Sequence, residues 1–342
     1  MKNFLVVGGA GYIGSVVVNN LIDLGHKVVV IDNLSTGHKF LINKKAIFFF
    51  LDINNLNKLN SFFKKFDFHA VFHFAAATSV KESEKKPLKY FRINVDGTQN
   101  LLNCICKNKI KYFIFSSTCA VYGDSKNEKV NEFDSTIPIS NYAKSKLLSE
   151  ILIKNYAKKF SFKYAILRYF NVVGADSKLR SGQVYKGPLI KNIAGNIANK
   201  KYSVKLFGNN YNTKDGTTIR DYIDVNDLSE LHILSLKKLF RSKSFTLNCG
   251  YNIGYSVMDI IKKFESVINK KIFINYFPRV KGDVTKIYSN NKYLKFLFPL
   301  WKRKFGIIDS IKSALAWEDI LKKIIKNIKT TNQYFYVSTS ER

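Results

Sequence analysis

Long apolar runs are missing from this sequence. No uncharged apolar segment reaches the roughly eighteen residues a membrane-crossing helix needs. The short run Phe4–Val7 gives way to glycines before it attains the length of a signal peptide. A cytoplasmic protein with no membrane partner is expected. Cysteine is scarce as well: the chain has four, Cys104, Cys106, Cys119 and Cys249. Only Cys104 and Cys106 are close, and on a helix residues i and i+2 point apart, so neither a disulfide framework nor a thiolate metal site is expected. The five histidines are scattered and lack metal-ligand spacing.

Acid is short too, with 25 Asp and Glu against 56 Lys and Arg, a formal charge of +31. Such a balance can mark a nucleic-acid or anionic-membrane partner. Here the cations recur in short clusters (Lys44-Lys45, Lys64-Lys65, Lys85-Lys86, Lys200-Lys201) along the whole chain, with no single basic tract. The excess reads as compositional drift toward Lys, Asn, Ile and Phe, and no nucleic-acid partner is expected. An anionic small substrate would be favoured electrostatically.

What the chain does have is 46% hydrophobic residues over 342 positions, enough for a sizeable core in one large or two modest domains. Continuous apolar runs predict buried parallel strands at 4–7, 28–31, 47–51, 71–74, 112–115 and 164–167. Helical patterns separate them near 13–24, 54–65, 88–107 and 142–159. Runs without polar alternation are expected where helices cover both faces of a sheet. The fold class is therefore α/β, a Rossmann-type doubly wound parallel sheet. The pattern breaks after about residue 175, then 225–239 reads as a helix and 245–249 as one more buried strand. The expected division is 1–175 plus about 223–250 as a dinucleotide-binding domain. A smaller, discontinuous C-terminal substrate domain would take about 176–222 and 251–342.

Gly8, Gly11 and Gly14 follow the first strand at Gly-x-x-Gly-x-x-Gly spacing and open a helix. Glycine there allows a tight turn, close approach of backbone to a pyrophosphate and tight helix–strand packing. The helix N-terminus, entered through Tyr12 and Ile13, offers free N–H groups and a positive dipole end to phosphate. Asp32 ends the second strand, where a carboxylate can bond both hydroxyls of an adenosine ribose and would repel a 2′-phosphate. That favours NAD over NADP. Asp52, after the third strand, could approach the adenine edge, and Phe74-Ala75-Ala76 after the fourth would let the cofactor lie against the sheet.

Tyr142 and Lys146 lie four apart on one helix face. A phenol of ordinary pKa near 10 is a poor base at neutral pH. A lysine ammonium beside it, with a positive nicotinamide ring, would lower that pKa. Thr118, at the end of the fifth strand, would share the proton path.

These residues resemble the extended short-chain dehydrogenase/reductase family and, within it, the UDP-glucose (UDP-galactose) 4-epimerases. The cofactor part of the resemblance is Gly8–Gly14, Asp32-Asn33-Leu34, Asp52-Ile53, Phe74-Ala75-Ala76 and Asn94-Val95-Asp96-Gly97-Thr98. The catalytic part is Ser116-Ser117-Thr118, Val121-Tyr122-Gly123 and Tyr142-Ala143-Lys144-Ser145-Lys146. Arg168-Tyr169-Phe170-Asn171, Phe207-Gly208-Asn209 and 215–223 complete it.

The resemblance implies an isomerase that inverts C4 of a UDP-hexose through a transient 4-keto sugar, using bound NAD. Tyr142, Lys146 and Thr118 would be catalytic. Asn33, Ile53, Asn94 and Phe170, with the positions named above, would surround NAD. Phe207 would pack on uracil, Arg220 would bind the diphosphate, and Asn171, Leu189 and Asp283 would line the pocket. Ile287 would gate the sugar's 2-substituent, its medium size suggesting glucose and galactose. The family's two-fold helical bundle implies a homodimer through the helical stretches 90–105 and 147–157.

Alternatives at this stage are a 4-epimerase of another nucleotide sugar, a nucleotide-sugar dehydratase or reductase, a catalytically silent NAD-binding regulator and a basic nucleic-acid-associated protein. Dehydratases resemble the chain but carry Asp-Glu after the catalytic Ser/Thr, where this chain has Cys119 and Ala120. The chain departs from the family at Thr78, Pro188, Asp224 and Val280. The last breaks an Arg-Arg pair that normally reaches the diphosphate, a role left to Arg279 or Lys281. The 307–328 stretch, with Trp317, reads as a core-facing helix of the substrate domain.

Overall fold

The computed structural model describes residues 2–125, 127–280 and 283–338. Its first half alternates as the apolar runs predict. Strands β1 (Asn3–Val7), β2 (Lys27–Asp32), β3 (Ile47–Phe50), β4 (Ala70–His73) and β5 (Tyr112–Thr118) are interleaved with helices. Those helices are α1 (Tyr12–Asp23), α2 (Leu56–Phe63), α3 (Val80–Lys85), α4 (Pro87–Tyr90) and α5 (Gly97–Lys107). Next come β6 (Lys129–Val130), α6 (Asn141–Phe160), β7 (Lys163–Tyr169), β8 (Asn171–Val173), α7 (Leu189–Ala198), β9 (Ser203–Phe207) and β10 (Ile219–Asp224). Helix α8 (Val225–Leu239) and strand β11 (Phe245–Cys249) precede β12 (Gly254–Ser256), α9 (Val257–Ile268), β13 (Phe273–Phe277) and β14 (Lys286–Ser289). Helices α10 (Lys292–Leu297) and α11 (Ile307–Ser338) close the described chain.

Seven strands form one parallel sheet in the order β11-β7-β5-β4-β1-β2-β3. Its two faces are covered by separate apolar clusters. One packs α1 and α8 residues such as Val17, Val18, Leu228 and Leu231 onto Val6, Val30 and Leu167. The other packs α2, α5 and α6 residues, including Leu59, Leu101, Ile105 and Ile153, onto Leu5, Val29 and Phe113. Burial on both faces explains why these strands read as unbroken apolar runs. Strand order reverses between β1 and β4, so the crevice at their C-terminal ends is where a doubly wound sheet receives its ligand.

A second sheet runs β12-β10-β14-β6, with β8 paired to β10, and β13 and β9 form a parallel ribbon. Its core joins Val173, Ile190, Ile193, Tyr222, Ile260, Phe264 and Ile311. Strands β6 and β8 come from before residue 175 yet pair with β14 and β10. The sheets thus interlock rather than meet at one boundary.

The continuous helix expected over 88–107 is interrupted. Residues Phe91–Asp96 form a π-helical turn between α4 and α5. The wide turn carries Asn94 inward, where its side chain bonds the Ala77 backbone and donates to Ser145 Oγ on α6 at 2.9 Å. Single π turns of this kind are frequent at functional sites.

Candidate active site

The glycine turn sits at the reversal point. Gly8 has φ +82°, and a Cβ there would overlap the backbone nitrogen of Ala75. A Cβ on Gly14 would overlap the Gly8 carbonyl oxygen, so α1 lies directly on the turn. Gly11 is the N-cap of α1 and supplies no side-chain cap, which leaves the first-turn N–H groups to a ligand. Tyr12, in that turn, donates its hydroxyl to the Gly174 carbonyl at 2.7 Å and ties α1 to the segment after β8. Ile13 packs beside it on the sheet cluster.

Asp32 is held by the backbone N–H groups of Ala10 (3.0 Å) and Leu34 (2.8 Å), so one carboxylate joins the glycine turn to the end of β2. Burial pushes its pKa up against those two bonds. Asn33 donates to Asp52 at 2.9 Å, and Asn54 holds the other Asp52 oxygen. Ile53 is buried behind them. Phe74 and Ala75 both donate backbone N–H to Val7, which brings the small pair Ala75-Ala76 beside Gly8. A dinucleotide fits these residues: uncapped amides, a bare glycine crossing and a fixed carboxylate lie along one crevice.

Thr118 ends β5 and Tyr142 opens α6, whose N-cap Ser140 accepts from the Ala143 N–H. Strand β5 packs against α6, which sets Thr118 beside the Tyr142 phenol. One turn further, the Lys146 ammonium lies 4.3 Å above the centre of the Phe115 ring. Lys146 follows Tyr142 by one turn of α6, and the electrostatics of the two groups differ from the sequence expectation. Burial pushes the Tyr142 phenol up to about 12, relieved in part by Thr118. Lys146, 2% exposed, is itself pushed down to about 7 by burial. Desolvation of both groups outweighs the expected lowering of the phenol by its neighbour.

Beneath this pair lies a buried polar chain that spacing alone did not announce. Glu150 accepts from Arg168 at 2.7 and 3.0 Å and from Ser117 Oγ at 2.6 Å. Arg168 also donates to the Tyr122 hydroxyl at 2.9 Å, which donates to Asn248 at 2.7 Å. The only sequence signal for Glu150 is its place on the Tyr142–Lys146 helix face, one more turn along. Its partner Arg168 stands in the motif that precedes Phe170, on another strand.

On the substrate side, Arg220 pairs with Asp283 at 2.5 Å and bonds the Ile219 carbonyl. Phe207 is half exposed at the end of β9, its ring centre 5.3 Å from that of Phe277. Arg279 lies 4.1 Å over the Tyr211 ring and bonds Asn210, placing a second cation beside Gly208. Lys281 lies outside the described residues. Asn171 on β8 pairs with Tyr222 on β10, and Leu189 begins α7 against the second core. Ile287 is 5% exposed and packs with Phe170, Val121 and Tyr122. It forms a wall behind the site more than an open gate. Cys119 and Ala120 follow Thr118 in a 3-10 turn, and burial pushes the Cys119 thiol up to about 12, far from any acid role at neutral pH. Asp224 caps α8 and accepts from Ser310 at 2.6 Å, a structural use of that departure.

Residues 4–254 match the model of the NAD dependent epimerase/dehydratase family. The chain belongs to this family. Among its relatives is the UDP-glucose 4-epimerase of Lactobacillus helveticus, 37% identical over 317 residues, covering 92% of this chain and 96% of the relative. A solved UDP-glucose 4-epimerase from Stenotrophomonas maltophila, with bound NAD and formylated UDP-arabinopyranose, superposes with TM-score 0.89. It is 32% identical and covers 95% of this chain and 100% of its own. The UDP-Glc/GlcNAc 4-epimerase of Campylobacter jejuni superposes with TM-score 0.80 at 37% identity, covering 93% and 99%. With the glycine turn, Asp32 and the Tyr142–Lys146 helix, these findings make the chain an NAD-dependent epimerase.

Proposed function

We propose that this chain inverts C4 of a UDP-hexose, interconverting UDP-glucose and UDP-galactose. The observation that carries the reading is Tyr142 on α6, one turn before Lys146, with Thr118 at the end of the strand β5 that packs against that helix. Cys119 and Ala120 follow Thr118, so no carboxylate stands there to drive loss of water.

Gly8, Gly11, Tyr12, Ile13 and Gly14 would hold the cofactor's pyrophosphate, Asp32 and Asn33 its ribose, and Asp52 and Ile53 its adenine side. Phe74, Ala75, Ala76, Asn94 and Phe170 would border the rest. NAD, when bound, supplies a positively charged acceptor of the C4 hydride that returns it to the opposite face. Thr118 orients the sugar's 4-hydroxyl, and Tyr142 takes its proton and later gives one back. Lys146 stabilises the phenolate that forms. Arg220, Asp283 and Phe207 hold the UDP while the 4-keto hexose turns, with Asn171 and Leu189 along the pocket. Burial of Lys146 helps keep water from the intermediate. Incubation with UDP-galactose tests this, as described at the end of the Discussion.

We also infer a homodimer. Leu148 (42% exposed) and Ile151 (43%) are exposed apolar residues of α6, within the 147–157 stretch expected to meet a second copy. Double substitution of Leu148 and Ile151 by Asp should halve the mass seen by light scattering. An unchanged mass would place the contact elsewhere. Among the described residues no helix is long and apolar enough to cross a membrane, and we read the enzyme as cytoplasmic. The working division remains a cofactor part, 1–175 with 223–250, and a sugar-nucleotide part, 176–222 with 251–342.

A further inference from the structure

We propose that Glu150, clamped by Arg168 and Ser117 one helical turn beyond Lys146, is the counter-charge that keeps Lys146 an ammonium at the catalytic centre. The inference rests on the 4-epimerase reading and concerns a residue that touches neither substrate nor cofactor. Glu150 is a positioning residue acting through Lys146.

Lys146 sits deep in the site. Its side chain is 2% exposed, and among the described residues it has no carboxylate within ion-pair distance. From β5 it meets the Phe115 ring at 4.3 Å, with Ser117 and Thr118 beyond. From β4 it faces His73, a buried histidine kept neutral by burial and by the lysine's own charge, its pKa pushed down to about 3. On its own helix it has Tyr142, an un-ionised phenol, and Glu150. From β7 comes Arg168, a cation spent on Glu150. Among these described residues Glu150 is the one anion: it lies one turn along the same face of α6 and meets Ser117, two residues along β5 from the Phe115 that holds the ammonium. Burial drives Lys146 down to about 7, and Glu150 is the neighbour that opposes this.

The clamp satisfies the carboxylate. Glu150 is fully buried, and a buried carboxylate needs hydrogen-bond partners. Two Arg168 nitrogens and the Ser117 hydroxyl supply three charge-assisted bonds of 2.6–3.0 Å. Ser117 and Phe115 belong to the strand that ends in Thr118, so the carboxylate is fixed to the same β5–α6 seam as the reacting groups.

The test is Glu150→Gln, which keeps the size and removes the charge. With the counter-charge gone, Lys146 loses its proton at lower pH, and activity fails earlier on the alkaline side. The alkaline limb of the pH–activity profile should move acidward by about one pH unit or more, with about tenfold loss at pH 8.5 and little loss at pH 6. A second readout needs no turnover. The Nζ resonance of 15N-labelled Lys146, identified by its loss in Lys146→Met, should titrate lower in Glu150→Gln by a similar amount. If the single variant fails to fold because Arg168 is left unpaired, Glu150→Gln/Arg168→Gln removes both charges and should show a shift in the same direction but smaller, because the repelling Arg168 cation leaves with the carboxylate. An unmoved Lys146 titration, or a loss of activity uniform in pH, would overturn the proposal. A wild-type protein without epimerase activity but with the expected Nζ shift would reject the substrate reading and leave the counter-charge standing.

Discussion

Replacing Tyr142 by Phe removes one hydroxyl and leaves a ring that meets Tyr90 at 6.5 Å and still fills its place. Turnover should fall by about 10²–10⁴-fold, the range for a lost general acid–base group, while bound cofactor is retained. Near-normal activity would remove Tyr142 from the mechanism. Asp32→Ala cuts the link between Ala10, Leu34 and the ribose position. Cofactor released on denaturing the purified variant should drop well below one per chain, and full occupancy would deny Asp32 its role. Lys146 also makes a linkage prediction. Its folded pKa is depressed to about 7 from 10.5, so the unfolded chain binds the extra proton between those values and cofactor-free stability rises with pH there. The slope should disappear in Lys146→Met, measured by urea midpoints from pH 7 to pH 10. Tyr142, Lys146 and Asp32 were legible because their meaning lies in local spacing and strand ends. Glu150 was not, because its partner Arg168 is 18 residues away on another element.

At the level of elements, apolar runs located the strands because both sheet faces are covered, and helix α8 begins and ends where its pattern does. The π turn at Phe91–Asp96 escaped notice, since its cause is tertiary: Asn94 is drawn to Ala77 and Ser145 across two other segments. The brief β6 and β8 carry too few residues to show a period, and only their pairing with β14 and β10 reveals them. The crossing of α1 over the glycine turn invites a direct trial. Gly14→Ala forces a methyl onto the Gly8 carbonyl. It should cost about 1–3 kcal/mol, as overpacking does, and weaken cofactor retention together with stability. A variant as stable and as loaded as wild type would show that α1 has room there.

Over the whole molecule, β6 and β8 come from before residue 175 yet pair into the second sheet, and Asn248 of β11 donates to the Val130 carbonyl of β6 across the two sheets. The catalytic helix and the strand beside Ile287 therefore share one frame. In the proposed reading Tyr142 stands on the cofactor side and Arg220 with Asp283 on the nucleotide side, which would suit a sugar that turns while its UDP stays fixed. The sequence left the sugar open, because Ile287 sits behind Phe170 and its effect depends on packing that no motif reports. The central claim is tested most directly by incubating the purified protein, without added NAD, with UDP-galactose and separately with UDP-N-acetylgalactosamine, and resolving the products by chromatography. The account predicts UDP-glucose from the first, made with resident cofactor and no external oxidant. Conversion of the N-acetyl sugar alone would correct the substrate. No reaction with either, even after NAD is supplied, would contradict the account.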